Sequence, residues 1–315
     1  MKSVNVLMST YNGEKYLKQQ IDSILNQSRV KVFLTIRDDG SSDGTALILE
    51  EYAELDNVNV ILGQNIGFKR SFITLFSDLS QSNCDFYAFS DQDDEWLPEK
   101  LISAVEMLNE LDGKPALYIS DRYVSNEDLS VISGKVYDKY PPYDWHAKPI
   151  ARFIDSRGAG CVQVWNSQGQ DLLNRYTPKS ITHDEWVTAV FTFLGTVVYD
   201  DRAFIKYRRH INNVSTTTNS KISRNKFEKI FTIISDLKNK KYSQDVALRA
   251  SLLIEGYGDL LTAEDKKSLV AYAGYQRSVL KKLSILWSGK IKVTSANAPF
   301  NYQLMKILML LTNGL

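Results

Sequence analysis

The sequence predicts an α/β fold, a mostly parallel sheet flanked by helices, with a helical extension on its C-terminal side. Two observations carry that expectation. Over the first 120 residues short β-rich runs alternate with helical runs, at the spacing of βαβ units. The polar loops STYNG, DDGSSDGT, GQNIGFKR and SDQDDEW all follow strands rather than precede them. In an open α/β sheet that placement sends all four to one crevice outside the carboxyl ends of the strands.

In chain order, the strand candidates are Val4–Met8, Val32–Arg37, Val58–Leu62, Phe86–Phe89 and Leu117–Ser120. Helical patterns lie between them at Glu14–Asn26, Thr45–Leu55, Ser71–Leu79 and Pro98–Leu111. Pro98 suits a helix's first turn, where a missing N–H costs nothing. Residues 121–220 are mixed, with glycine-rich turns, the aromatic segment KYPPYDW and short β-runs at Cys161–Trp165 and Thr196–Tyr199. From about Asn225 apolar and charged residues recur at spacings of three and four, a helical pattern. The expected division is a domain over residues 1–220 and a helical region over 221–315.

Composition excludes several functions. The chain has 315 residues, of which 43% are apolar, enough for a substantial core. With 38 basic and 37 acidic side chains the net charge is +1, without the basic excess of a nucleic-acid binder. Cys84 and Cys161 are too few and too far apart for a disulfide framework, and neither has the spacing of a zinc ligand. They point to a reducing compartment. The apolar run near the N-terminus is too short for a signal segment, and no stretch of eighteen apolar residues occurs. The expected location is the cytoplasm, or the cytoplasmic face of a membrane.

Four clusters carry chemistry. Asp91-Gln92-Asp93-Asp94 closes an apolar strand. Extended backbone would put Asp91 and Asp93 on one face and Asp94 on the other. Converging carboxylates need a cation or donor hydrogens, and Mg²⁺ or Mn²⁺ takes such ligands together with phosphate oxygens; the alternative is a solvated turn capping the next helix. In Arg37-Asp38-Asp39-Gly40-Ser41-Ser42-Asp43, the Asp39 carboxylate could read the imide N–H of uracil or thymine, while Ser42 or Asp43 caps a helix. His183-Asp184-Glu185-Trp186 offers a carboxylate beside an aromatic, a setting for a general base, or simply two acids facing a helix dipole. Tyr207-Arg208-Arg209-His210 offers cations for a departing diphosphate, or plain surface.

Taken together, VNVLMSTYNGEKYLKQQIDSILNQS, IRDDGSSDGT, NIGFKRSF, FSDQDDEWLPEK and HDEWVT resemble the family 2 inverting glycosyltransferases of GT-A fold, over roughly residues 3–215. The ending HDEW…YRRHINNVS is similar to bacterial rhamnosyltransferases that build cell-wall or O-antigen polysaccharide. The resemblance implies that Ser9, Tyr11 and Asp39 hold the nucleoside, and that Lys69 or Arg70 approaches the diphosphate. It implies that Asp91 contacts ribose or donor sugar, that Asp93 ligates Mn²⁺ or Mg²⁺, with His210 completing the metal site, and that Asp184 is the catalytic base. The processive synthases' QxxRW motif and membrane spans are missing, which points to addition of one or a few sugars.

The implied donor is dTDP-rhamnose, with UDP-sugars as the rival. The implied acceptor is a saccharide or lipid-linked saccharide, and no nucleic acid takes part. A nucleotide-dependent oxidoreductase would need a glycine-rich turn after the first strand, where STYNG has one glycine. A nucleotidyltransferase would carry a glycine-rich loop with a lysine there. A catalytically degenerate scaffold should have lost Asp91, Asp93 or Asp184, and all are present. The segment Tyr137–Trp145 is read either as an acceptor-binding platform or as a packing plug. The segment FNYQLMKILMLLTNGL is read either as a helix for peripheral membrane contact or as one packed on the core or on a second copy in a homo-oligomer.

Overall fold

The computed structural model describes residues 1–77, 83–111, 113–130, 132–139, 143–210, 246–287, 307 and 310. The chain opens as β1 (Ser3–Thr10), α1 (Leu17–Leu25), β2 (Lys31–Asp38), α2 (Thr45–Ala53), β3 (Val58–Leu62), α3 (Phe68–Ser77) and β4 (Phe86–Ser90). These four strands pair in parallel in the order β3-β2-β1-β4. β1 is central, and Val4, Val6, Leu7 and Met8 are fully buried, because helices cover both faces of such a sheet. Each helix buries one stripe: Leu17, Gln20, Ile21 and Ile24 on α1, and Ser71, Phe72, Leu75 and Phe76 on α3. The register sets Ser9 beside Arg37 and Thr10 beside Asp38, so two of the polar loops leave the sheet side by side.

The chain continues through β5 (Glu95–Trp96), α4 (Lys100–Asn109), β6 (Ala116–Ser125), β7 (Ile132–Lys135), α5 (Pro149–Ile154), β8 (Gln163–Asn166), α6 (Ser167–Asn174), α7 (His183–Leu194) and β9 (Thr196–Arg208). The sheet extends as β4-β8-β6-β9-β5, with β7 on β6. The parallel run is therefore interrupted after β4, because β8 inserts antiparallel between β4 and β6. β9 runs well past the expected Tyr199, parallel to β6 and with register shifts near Asp121. Its far end pairs with β5, Glu95 opposite Lys206, and this holds the loop after β4 against the end of β9. Pro98 lies before α4 rather than in its first turn: Leu97 donates its N–H to Phe204, and Lys100 closes a turn back onto Leu97. Under the sheet, Phe89 and Trp165 meet with ring centroids 4.6 Å apart, flanked by Phe76 and Tyr87.

Two compact units result, Met1–Tyr140 with Arg157–Arg209, and Pro141–Ser156 with His210–Leu315. The second contains α5, α8 (Val246–Tyr257), α9 (Ala263–Ala273) and α10 (Val279–Trp287). α9 starts at Thr262, whose hydroxyl accepts the N–H of Asp265, a standard cap. In this unit the Arg249 guanidinium lies 4.8 Å from the Phe153 ring centroid, and Tyr143 packs on Trp145 at 4.4 Å. Tyr140, Pro141 and Pro142, the segment after His210 and nearly all of FNYQLMKILMLLTNGL lie outside the described residues. Among the described residues no helix is long and apolar enough to cross a membrane.

Candidate active site

The loops after β1, β2 and β3 are joined by one polar network. Ser9 Oγ lies 2.5 Å from Ser71 Oγ, and Ser71 accepts from Arg37 Nη1 at 2.9 Å. Arg37 also donates to Asp39 Oδ1 at 2.6 Å and to the carbonyl of Gln64 at 3.0 Å. Asp39 further accepts the backbone N–H groups of Ile66 and Gly67, both at 2.9 Å. The Arg37–Asp39 pair is almost wholly buried, so its hydrogen bonds are what make an internal ion pair tolerable. Gly40 makes the turn possible: its φ is +77°, and a Cβ there would lie 2.8 Å from the Asn65 nitrogen.

Asp38, next door, accepts from the Thr10 hydroxyl and from the N–H and hydroxyl of Ser41. Asp43 takes the N–H and hydroxyl of Thr45 at the start of α2. Tyr11 is exposed. Its backbone N–H and carbonyl are both engaged by the Gln92 side chain, at 2.8 and 3.1 Å. Gln92 thus ties the first loop to the fourth. Lys69 and Arg70 sit exposed in the first turn of α3, beside this network.

The fourth loop departs from the extended geometry expected of it. β4 ends at Ser90, and residues 91–94 form a bend, so alternation of faces no longer applies. The bend gathers Asp91 and Asp94, with Cys161, so that their ligand atoms lie within 4.8 Å of one another. Asp94 is fully buried. One of its oxygens accepts the N–H of Arg208 at 3.0 Å, and the other, Oδ2, has no hydrogen-bond partner. Burial, then the charges of Asp93 and Asp91, hold its carboxyl well above the usual carboxylate range. Asp91 is pushed up to about 7, first by burial and then by the charges of Asp93 and Asp184, with the Arg122 guanidinium opposing. The Cys161 thiol is pushed well up by burial and stays protonated.

Two cations neighbour the bend. Lys100 is fully buried, its Nζ 3.5 Å from the Trp96 ring centroid and without a hydrogen-bond partner. Burial lowers its pKa to about 7, with the Asp94 carboxyl opposing the shift. Arg122 Nε and Nη1 are likewise buried without a partner, and its guanidinium lies 5.0 Å from the Tyr207 ring centroid. Arg208, from the cluster that offered either cations for a departing diphosphate or plain surface, is buried. Its Nε donates to the Asp93 carbonyl at 2.7 Å, its Nη1 to the Glu127 carbonyl and its Nη2 to Gln19 at 2.6 Å. It clamps the bend.

Asp184 stands in the first turn of α7, its Oδ1 accepting the N–H of Glu185 at 2.8 Å. Its neighbour His183 is buried and stacks on Phe72 at 3.9 Å, with Phe89 edge-on at 4.4 Å. Burial lowers the His183 pKa to about 4, so the imidazole is neutral at pH 7. Gly160 lies against it, where a Cβ would come 2.5 Å from Nε2. Gln163 Nε2 donates to the carbonyls of Gly158 and Asp184 and to the Thr188 hydroxyl, at 2.8, 3.1 and 2.9 Å. The structure therefore brings Asp91, Asp93 and Asp184 into one charge cluster and groups Ser9 with Asp39. His210 follows β9 and belongs to the second unit. Gln92, Gln163, Lys100 and Arg122 went unread in the sequence. Gln92 alone left a signal, its place inside the acidic motif.

Residues 5–143 match the sequence profile of the Glycosyl transferase family 2. The chain is similar to the dTDP-rhamnosyl transferase RfbG of Shigella flexneri, 27% identical over 267 residues, which are 79% of this chain and 85% of that protein. It is similar to the EpsE protein of Bacillus subtilis (strain 168), 38% identical over 105 residues, 33% of this chain and 38% of that one. Its fold is that of S. aureus TarS residues 1–349, solved in complex with UDP-GlcNAc, at 18% identity and a TM-score of 0.57. That likeness covers 100% of this chain and 80% of that one.

Proposed function

We propose that this chain, a glycosyltransferase whose residues 5–143 form a family 2 domain, moves L-rhamnose from dTDP-rhamnose to a saccharide or lipid-linked saccharide, with inversion at the anomeric carbon. The observation that carries the mechanism is the convergence of Asp184 with Asp91 and Asp93, whose charges both raise the Asp91 carboxyl. A general base, a donor-sugar contact and a metal ligand are needed within one sugar's reach of each other. The rhamnosyl donor is favoured by the similarity to the Shigella flexneri protein over most of both chains and by the HDEW…YRRH ending. The acceptor follows as part of bacterial surface polysaccharide, built at the cytoplasmic face. Residues 1–220 act as the nucleotide-sugar-binding catalytic domain, and 221–315 serve in association.

On the donor side, Ser9, Tyr11 and Asp39 surround the base. Asp39 Oδ1 accepts two hydrogen bonds and Oδ2 one, which leaves a lone pair on Oδ2 for the imide N–H of thymine or uracil. Lys69 and Arg70, exposed at the start of α3, suit the diphosphate. On the acceptor side, Asp184 takes the proton from the attacking hydroxyl. The new carbon–oxygen bond forms as the bond to the diphosphate breaks on the opposite face.

Asp93 would hold Mn²⁺ or Mg²⁺, beside Asp91. The acidic bend fits a hard cation: one buried carboxylate oxygen lacks a partner, three acids crowd together, and the neighbouring thiol is protonated. When bound, such an ion neutralises charge on the departing diphosphate.

A donor screen tests this reading. Thymidine, uridine and guanosine diphosphate sugars would each be paired with Mn²⁺, Mg²⁺ or EDTA, and thermal stabilisation and nucleotide release followed for the wild type and Asp93→Ala. Stabilisation and turnover confined to dTDP-rhamnose, lost with EDTA and in Asp93→Ala, is the expected result. Selective response to a UDP-sugar would reassign the donor. No response to any nucleotide sugar would leave a catalytically degenerate scaffold.

A further inference from the structure

α10 turns an apolar face outward. Of its nine residues, Val279, Leu280, Leu283 and Trp287 are 71%, 78%, 42% and 89% exposed. At about 100° per residue these four fall on one arc of the helix, roughly 100° wide, with half-buried Leu286 at its edge. Ile285, on the other side, is buried and keys the helix to its own unit. The face is therefore presented by a helix packed along its back.

Charge tells what the face is fitted to meet. Residues 266–315 contain eight basic side chains and no acidic one, while the preceding 265 residues hold 30 basic and 37 acidic. Two of the eight, Lys281 and Lys282, lie on α10 itself, and Lys282 borders the apolar arc. A second copy of α10 laid face to face would bring lysine toward lysine with no carboxylate on either helix. The chain beyond Trp287 offers no acid either. The complementary surface is one that is apolar within and anionic at its rim.

We infer that α10 is a membrane-docking helix, lying in the interface of a bilayer rich in anionic phospholipid, with Leu280 and Trp287 entering the acyl boundary and Lys282 at the rim facing headgroup phosphates. An outward aliphatic face, a flanking basic cluster and a terminal tryptophan are what interfacial helices use. The electrostatic part weakens with salt. This docking does not depend on which sugar the enzyme transfers.

The test uses the full chain. Sedimentation is compared with vesicles of phosphatidylcholine alone and of phosphatidylcholine with phosphatidylglycerol, at low and high salt. The wild type should bind the anionic vesicles, lose most of that binding at high salt, and show a blue shift of tryptophan emission that is absent in Trp287→Phe. Leu280→Glu with Trp287→Glu should weaken binding about tenfold or more, and Lys282→Gln, which removes one basic side chain at the rim, by roughly fivefold. Leu280 and Trp287 are exposed and Lys282 borders the arc, so circular dichroism and nucleotide-sugar turnover on a water-soluble acceptor should be unchanged. Equal vesicle binding by the wild type and the Leu280/Trp287 double variant would overturn the inference. So would failure of the wild type to bind anionic vesicles. A concentration-dependent dimer abolished by that same variant, without vesicle binding, would give the face to a second copy instead.

Discussion

The proposed nucleotide side and the proposed sugar side of the candidate site solve opposite electrostatic problems. On the nucleotide side, Arg37, Asp39, Ser71 and Ser9 form a closed network in which a buried acid has a buried base and three donated hydrogen bonds. On the sugar side, Asp91, Asp93, Asp94 and Asp184 crowd together, Asp94 Oδ2 lacks a partner, and the nearby cations Lys100 and Arg122 keep unsatisfied donors of their own. The first half is internally paired, with one lone pair on Asp39 Oδ2 to spare. The second stores repulsion that ligand, proton or cation must relieve. Perturbed groups cluster where chemistry is done, and Asp91, Asp94 and Lys100 are three such groups within this second part.

The largest predicted effect breaks the sugar side. Asp184→Asn keeps the acceptor for the Glu185 N–H and removes the base. kcat should fall by about 10²–10⁴-fold, the usual contribution of general-base catalysis, with donor affinity nearly unchanged. Turnover close to wild type would take Asp184 out of the mechanism.

On the nucleotide side the same kind of deletion should be read in stability. Arg37→Met leaves Asp39 buried without its cation, a change that costs about 3–5 kcal/mol. Chemical denaturation should show that loss, and adding Asp39→Asn should recover part of it. Loss of donor binding with stability intact would instead make Arg37 a ligand contact, and the contrast between the halves would collapse.

Much of this was legible beforehand, and the failures share a cause. β1 to β4 and their loops read directly from apolar runs and polar punctuation, because a doubly covered parallel strand is continuously apolar. Ser9, Asp39, Asp91, Asp93 and Asp184 sat in local motifs. What went unread is non-local. β8 enters the sheet through pairings with β4 and β6 that nothing in QVWN announces. Arg208 meets the Asp93 carbonyl across 115 residues. Lys100 and Arg122 left no signal, because such residues are seldom buried. Asp94 was sent to the wrong face by carrying strand alternation one residue too far, past Ser90 into a bend.

A pH comparison sharpens the contrast further. The folded-state pKa of His183 is depressed to about 4 from 6.5 by burial, so its contribution to stability is full above pH 6.5 and is lost as pH falls toward 4. The loss amounts to about 3 kcal/mol at most. Between pH 6.5 and 4 the wild type should therefore lose more stability than His183→Leu, whatever the variant's stability at pH 7. Parallel curves for the two proteins would mean that His183 is not held neutral by the Phe72 and Phe89 rings.

The smallest effect separates positioning from chemistry at Asp184. Gln163 touches the base only through its backbone carbonyl, and also holds Gly158 and Thr188. Gln163→Met keeps the volume and removes all three hydrogen bonds. Each is worth about 1 kcal/mol net, but only the one to Asp184 bears on the base, so kcat should fall by roughly tenfold or less while the KM for donor holds. A structural role alone would lower stability and leave kcat per folded molecule unchanged. If kcat drops and the denaturation midpoint barely moves, the first turn of α7 is held in catalytic register by a residue that no local motif marks. The sugar side would then depend on long-range support for its geometry, where the nucleotide side closes through its own loops.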